Sequence, residues 1–304
     1  MTDYGHEPVF GVSIDPTVHG IDQAFALAQR ADALGLDLLA VQDHAYQPSH
    51  LDTWTLLTYL SAATSRITVM PDVADLQLRP PAMLAKAAST LSILNGGRVQ
   101  LGVGGGPFPD AIAGMGMPRR EVAAMVAYSD AAMGILRAAL RGGHVEGGND
   151  EHRVSYSAGP AAAQPPHVWL GAQKPRMLRL VGRKADGWVS PLNVYVPPAD
   201  VPAKQRTIDE AARSAGRDPA DIRRLSNVTG TLTAAGTPTR HDARQGLIGD
   251  VAGWTAFLTD AVVTLGFDTF VFWPTGDTLR QTELFATEVV PAVRASVARE
   301  RSAR

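Results

Sequence analysis

The chain has no cysteine among its 304 residues. Disulfides, thiolate nucleophiles, and zinc or iron–sulfur centres held by cysteine are therefore excluded. Its eight histidines, at positions 6, 19, 44, 50, 144, 152, 167 and 241, show no metal-ligand spacing, and no HExxH or Gly-x-Ser-x-Gly motif occurs. No metal is expected, and metal hydrolase and serine esterase chemistry lack the residues they need. The net charge of −2 gives no electrostatic drive toward nucleic acid or an anionic membrane. No stretch approaches the roughly 20 uninterrupted apolar residues of a membrane span. The opening segment Met1 to Pro8 holds acidic residues rather than a signal peptide's apolar core. The expectation is a cytoplasmic protein acting on a small molecule. Four late arginines, Arg294, Arg299, Arg301 and Arg304, read as a solvated helix face.

What the chain does have is a core. Hydrophobic residues make up 45% and charged residues 19%, enough for a large globular interior. Short β-rich runs alternate with amphipathic stretches. Strands are predicted at Val9–Ile14, Leu36–Val41, Arg66–Met70, Arg98–Val103, His167–Leu170, Gly187–Ser190, Ile222–Val228 and Thr269–Trp273. Between them, Ile21, Ala24, Phe25, Ala28 and Ala31 share one helical face, as do Trp254, Phe257, Leu258, Ala261, Val262 and Leu265. Further helices are predicted at Thr53–Ala63, from Pro81 to Leu94, at Arg120–Arg141, Pro175–Lys184, Pro202–Ala215 and Thr282–Val297. Eight βα units without a linker imply one (β/α)8 TIM barrel spanning residues 1–304 as a single domain. A doubly wound sheet is disfavoured, because no dinucleotide glycine fingerprint follows the first strand.

In a barrel the chemistry sits where strands end and βα loops begin. The Gly/Pro segment Gly142–Pro166 precedes a strand, so it belongs to the opposite face and reads as structural. Asp43-His44 closes the second strand. An imidazole beside a carboxylate titrates near neutrality and can give or take the proton of a redox step. The same pair also caps helices or decorates surfaces; its position at the mouth favours chemistry. Gly104, Gly105 and Gly106 follow the fourth strand, where the lack of Cβ atoms permits close backbone approach to a flat or charged ligand or simply a tight turn. It is not a P-loop, since no Gly-Lys-Ser/Thr follows. Gly171-Ala-Gln-Lys-Pro-Arg176 follows the fifth strand and opens a helix. Its N-terminus, flanked by Lys174 and Arg176, suits a phosphate.

The run Arg79-Pro-Pro-Ala-Met-Leu-Ala-Lys-Ala-Ala-Ser-Thr-Leu-Ser-Ile-Leu-Asn-Gly-Gly-Arg-Val-Gln-Leu-Gly-Val-Gly-Gly-Gly106 resembles the bacterial-luciferase-like family of flavin and F420 oxidoreductases. Trp169-Leu-Gly-Ala172, Gly182-Arg-Lys-Ala-Asp-Gly-Trp188 and Leu265-Gly-Phe-Asp-Thr-Phe270 fit it in the same order. The resemblance implies the barrel reached above. Asp43-His44 looks like the pair of the F420-dependent branch, which implies that Asp43 helps hold the deazaflavin and His44 faces the reactive carbon. It also implies a non-proline cis peptide supporting the ring near Asp72-Val73, and a cofactor phosphate near Gly171, Ala172, Gln173, Lys174, Arg176 and Met177. Sugar-phosphate dehydrogenases of this branch carry a glutamate after the fourth-strand glycines. Here Pro107 stands there, which speaks against sugar-phosphate activity. A homodimer is a further implication.

Three readings follow. The first is an F420-dependent oxidoreductase in which His44 handles the proton and Tyr46, Asn193, Tyr195, Arg240, His241 and Trp273 meet the substrate. The second is an FMN-dependent monooxygenase supplied by a separate flavin reductase. The third is a barrel that binds a flavin or partner without turnover, a reading that Pro107 favours.

Overall fold

In the computed structural model, which describes residues 3–150 and 152–303, the apolar runs become strands buried on both faces. Arg304 lies outside the described residues. In chain order the strands are β1 (Val9–Ile14), β2 (Leu38–Val41), β3 (Thr68–Pro71), β4 (Ala74–Asp75), β5 (Leu101–Gly104), β6 (Gly143–Asn149), β7 (His152–Ala158), β8 (Val168–Gly171), β9 (Gly187–Leu192), β10 (Arg223–Leu232), β11 (Arg240–Asp242), β12 (Gly246–Gly249) and β13 (Thr269–Pro274). The helices are α1 (Ile21–Ala33), α2 (Thr53–Ala62), α3 (Pro81–Leu94), α4 (Pro109–Gly114), α5 (Val122–Arg141), α6 (Pro175–Lys184), α7 (Val201–Ser214), α8 (Val251–Val263), α9 (Thr278–Leu284) and α10 (Val290–Ser302).

The sheet runs β3-β2-β1-β13-β10-β9-β8-β5-β4, with every neighbour parallel. Its two ends are one strand broken in the middle. Val69 bridges Val99 in parallel, Gln100 donates its N–H to the Val69 carbonyl at 3.0 Å, and β4 pairs with β5. The ring thus closes as a TIM barrel. The break falls at Asp72-Val73, whose peptide bond is cis.

Leu38, Ala40, Met70, Trp169, Val189, Leu225 and Val271 fill the barrel, with Val73 and Trp273 half-buried above them. Trp169 fits because its neighbour is Gly187: a Cβ there would stand 2.6 Å from the indole. A second core lies between barrel and helices. In it Trp188 stacks on Phe267 at 5.5 Å and donates its indole N–H to the Ala172 carbonyl at 2.8 Å. By length and hydropathy α5 could cross a bilayer, but Asp130 pairs with Lys184, and Arg137 with Asp186, so this helix is tied to the barrel.

Several elements differ from the sequence reading. Within Gly142–Pro166, read from sequence only as a structural segment, Gly143–Asn149 and His152–Ala158 form the antiparallel β6–β7 hairpin, in which Val145, Val154 and Tyr156 alternate with polar residues. The last helix starts earlier and contains a widened turn at Phe285–Val289, directly before Pro291. Pro291 has no N–H to donate and its ring crowds the preceding turn, so the wider turn lets the helix continue. The late arginines are not simply solvated: Arg294 pairs with Asp37, and Arg301 with Asp3, both at 2.9 Å. Arg299 is exposed.

Candidate active site

The mouth is built from the C-terminal ends of β2, β3–β4, β5, β8, β9, β10 and β13, and each supplies a distinct group. Asp43 leaves β2 and is almost fully buried. Both its oxygens are taken up: Arg79 Nε donates to Oδ2 at 2.7 Å, Arg79 Nη2 to Oδ1 at 2.9 Å, and the Asp75 N–H to Oδ2 at 3.0 Å. Arg79 also reaches Asp52 at 2.6 Å. The fork of one guanidinium on a buried carboxylate is the arrangement that compensates such a charge. Asp43 thus ties the start of α3 and the β4 segment to the end of β2.

His44 turns the other way. Its Nδ1 lies 2.6 Å from the Tyr46 hydroxyl, and its ring packs 5.9 Å from Phe108, which is 5.7 Å from the Tyr46 ring. His50 stands behind it at 6.2 Å. Burial, then the charge of His50, hold His44 below the ordinary histidine range, while Asp43 pulls the other way. The imidazole is therefore neutral at neutral pH, with Nδ1 engaged by Tyr46 and Nε2 left for a proton. Burial raises the Tyr46 phenol, with Asp75 and Asp43 adding to the effect.

Across the mouth runs a second polar chain. Trp273 Nε1 donates to Asn227 Oδ1 at 2.7 Å, and Asn227 Nδ2 donates to the Ser190 carbonyl at 3.0 Å and to Asp72 Oδ1 at 3.4 Å. Asp72 Oδ2 is sealed from solvent with no partner. Burial pushes the Asp72 carboxyl up to about 7, opposed by the Asn227 amide. Asp75 is pushed up to about 6, again by burial, against N–H groups of Gln77 and Leu78.

The side chain of Val73 occupies the space in front of Gly104 and Gly171: a Cβ on Gly104 would fall 2.6 Å from Val73 Cγ2, one on Gly171 3.1 Å. Added Cβ atoms would meet Met125 and Ser129 at Gly105, and Ile112, Gln77 and Asp75 at Gly106, whose φ is +78°. At these four glycines the space a Cβ would take is therefore held by the chain's own side chains.

At the N-terminus of α6, Lys174 and Arg176 are exposed, and neither is engaged with another described residue. Gln173 Nε2 donates to the Tyr195 carbonyl, and Lys204 of α7 donates to the Gln173 carbonyl, both at 3.1 Å. Lys204 thus adds a third cation beside this turn. Ala172 and Met177 are core residues, and the Ala172 backbone is spent on Val189 and Trp188.

The expected substrate residues separate into two groups. Tyr46 and Trp273 belong to the clusters above. Asn193, buried, accepts the Thr229 N–H at 3.0 Å and approaches His241 Nε2 at 3.3 Å. Tyr195 is exposed, and Arg240 on β11 makes an exposed ion pair with Asp242. Sequence reasoning missed Arg79, Asp75, Phe108, Asn227 and Lys204. Asn227 had a signal, a polar residue inside a buried strand. The other four had none. Two surface hollows, of about 270 and 1050 Å³, lie elsewhere: one at Arg137 and His167, the other between α8 and α9–α10.

The sequence profile of the luciferase-like monooxygenase family matches residues 6–263. A phthiodiolone/phenolphthiodiolone dimycocerosates ketoreductase of Mycobacterium tuberculosis is 31% identical over 229 residues, covering 67% of this chain. The match spans 57% of that relative's length. Among solved structures, an F420-dependent secondary alcohol dehydrogenase holding an F420–acetone adduct superposes with a TM-score of 0.79 at 17% identity, over 94% of this chain and 99% of that one. The oxygenating constituent of 3,6-diketocamphane monooxygenase from Pseudomonas putida, with FMN, gives 0.74 at 16% identity, over 94% and 98%. At these identities the likeness is one of fold.

Proposed function

The chain belongs to the luciferase-like monooxygenase family, and from that premise we propose that it is an F420-dependent oxidoreductase passing hydride between the deazaflavin and the carbonyl or carbinol carbon of a small organic substrate. The observation that carries this reading is His44: a half-buried, neutral imidazole at a strand end, oriented by Tyr46 and walled by Phe108. Hydride transfer to a ketone leaves an alkoxide that needs a proton, and the reverse reaction needs one removed. A neutral imidazole with one free nitrogen does either, according to which nitrogen carries hydrogen.

The residues fit a phosphorylated ring cofactor. Lys174, Arg176 and Lys204 surround the free N–H groups at the start of α6, a natural seat for phosphate. Asp72 offers a buried carboxyl oxygen without a partner beside Val73. The cofactor, when bound, supplies the hydride. Tyr46 fixes the imidazole plane, and the Phe108 ring packs edge-on against it. The ketoreductase relative and the alcohol dehydrogenase neighbour act on carbonyl and carbinol carbons by their names, which supports this substrate class.

The FMN-dependent monooxygenase is the second reading. One observation favours it: Asp43, the residue that pointed toward F420, spends both oxygens on Arg79 and the Asp75 N–H. The test is to supply reduced F420 with a panel of ketones under argon and follow deazaflavin absorbance, and in parallel to measure oxygen uptake with reduced FMN. Anaerobic oxidation of F420 by a ketone is expected; oxygen uptake with FMN and no anaerobic turnover would replace the first reading with the second.

A further inference from the structure

Asp72 is a buried carboxyl whose second oxygen has no partner. Its surroundings determine which oxygen that is. The Trp273 indole N–H can only donate and the Ser190 carbonyl can only accept, so Asn227 must turn Oδ1 to the first and Nδ2 to the second. Nδ2 then also faces Asp72 Oδ1, which is fixed as an acceptor. A proton on Asp72 therefore sits on Oδ2, and an ionised Asp72 is a charge with one amide donor in an interior sealed from solvent. The Asp72 N–H is itself held by the Val41 carbonyl at 2.7 Å, so the backbone is anchored.

Among the described residues no counter-charge relieves it. Strands β1, β2, β3, β5, β8, β9 and β13 carry no charged residue. Arg223 and Arg224 begin β10 at the far end of the barrel, where they pair with Asp268 and Asp209. At the mouth, Arg79 is committed to Asp43 and Asp52, Asp75 is itself an acid, and His44 and Tyr46 are bonded to each other. Burial and the Asn227 amide alone act on the carboxyl.

We propose that Asp72 is kept as a neutral acid at the floor of the cofactor site and makes affinity for a reduced, anionic ring cofactor depend on pH, opposing it once the carboxyl ionises. This rests on the cofactor reading above. Val73, the next residue, fills the space before Gly104 and Gly171, so a ring held at this mouth is held beside the segment that carries Asp72. The oxidised flavin ring has no charge to place there, whereas the reduced flavin is an anion near neutral pH; the hydroxylated deazaflavin ring of F420 ionises near neutral pH even when oxidised. Two negative charges in a low-dielectric interior repel far more than in water. By linkage, loading the anion raises the Asp72 proton affinity, and binding takes up a proton when the pH lies above the free carboxyl's range.

The experiment is an anaerobic titration of the full chain and of Asp72→Asn with oxidised and reduced F420, and with oxidised and reduced FMN, from pH 6 to 8.5. The phosphates titrate identically in both proteins, so the ratio of affinities isolates Asp72. Below about pH 6.5 the two proteins are expected to bind reduced cofactor alike. Above about 7 the wild-type affinity falls relative to the variant, by up to about tenfold per pH unit, and the reduction potential of bound FMN drops below the variant's. Oxidised FMN, whose ring stays neutral over this range, keeps a constant ratio. A constant ratio for reduced cofactor as well, with binding intact, overturns the role of Asp72 alone. Failure of both cofactors to bind in either state overturns the cofactor reading and this inference with it. Asp72→Ser, which also removes the charge, serves the same comparison where the Asn variant does not fold.

Discussion

Replacing Asp72 with Asn is expected to change how the stability of the ligand-free protein depends on pH. The folded carboxyl sits at about 7, against about 3.9 in an unfolded chain. The folded state therefore binds the proton more tightly than the unfolded state. Below about pH 4 both states are protonated and the carboxyl contributes nothing that depends on pH. As pH rises, the unfolded chain releases its proton first, so wild-type stability falls until the folded carboxyl also ionises near 7. About three units at 1.36 kcal/mol each give a loss of roughly 4 kcal/mol, complete at about pH 8. Asparagine keeps the acceptor facing Asn227 and cannot ionise, so its effect is one fixed offset across the range. Guanidinium unfolding of both proteins at about pH 4.5, 6, 7 and 8 reads the difference directly. The variant should gain on the wild type at every step up to pH 8. Parallel stabilities across that range would refute the claim that burial keeps this carboxyl neutral.

Arg79→Met leaves the Asp43 carboxylate buried without its guanidinium and should lower stability by about 3–5 kcal/mol, measured by the same unfolding curves; an unchanged midpoint would show that Asp43 finds another partner. His44→Ala should cut kcat by about 10²–10⁴-fold with little change in KM. In the wild type, oxidation of an alcohol should fail on the acid side as His44 takes up a proton, at a pH below the ordinary histidine range, and this limb should vanish in the variant. Lys174→Ala and Arg176→Ala should each weaken FMN or F420 by on the order of tenfold while leaving riboflavin, which has no phosphate, unaffected by calorimetry.

The barrel was legible because its two periods are unambiguous: fully buried runs of four to six residues against helical faces spaced by three and four. Periodicity does not show where one strand breaks. The family resemblance implied a cis peptide at Asp72-Val73, and the structure has it there; the change of partner that accompanies it is seen only when β4 pairs with β5 while β3 pairs with β2. Asp43-His44 stood out as a pair, but the sequence gives no sign that Arg79, far along the chain, turns Asp43 inward and leaves His44 to the mouth. Two of the motifs that carried the resemblance prove to be packing. Gly182 lets α6 close on α7, and Trp188 stacks on Phe267. Asp186 accepts the Val168 N–H at 2.8 Å. Family likeness is thus written largely in how the barrel holds together, whereas the residues that would choose a substrate, such as Phe108, lie in loops with no period to betray them.

Which ring cofactor the mouth takes separates the two proposed activities. Purified protein titrated in parallel with F420 and FMN, at one ionic strength and with the cofactor's own absorbance or fluorescence as readout, decides it. Tight F420 binding with much weaker FMN binding, reduced by His44-sparing changes at Lys174 and Arg176, is the predicted result. Preference for FMN, or binding that ignores those two cations, would contradict it.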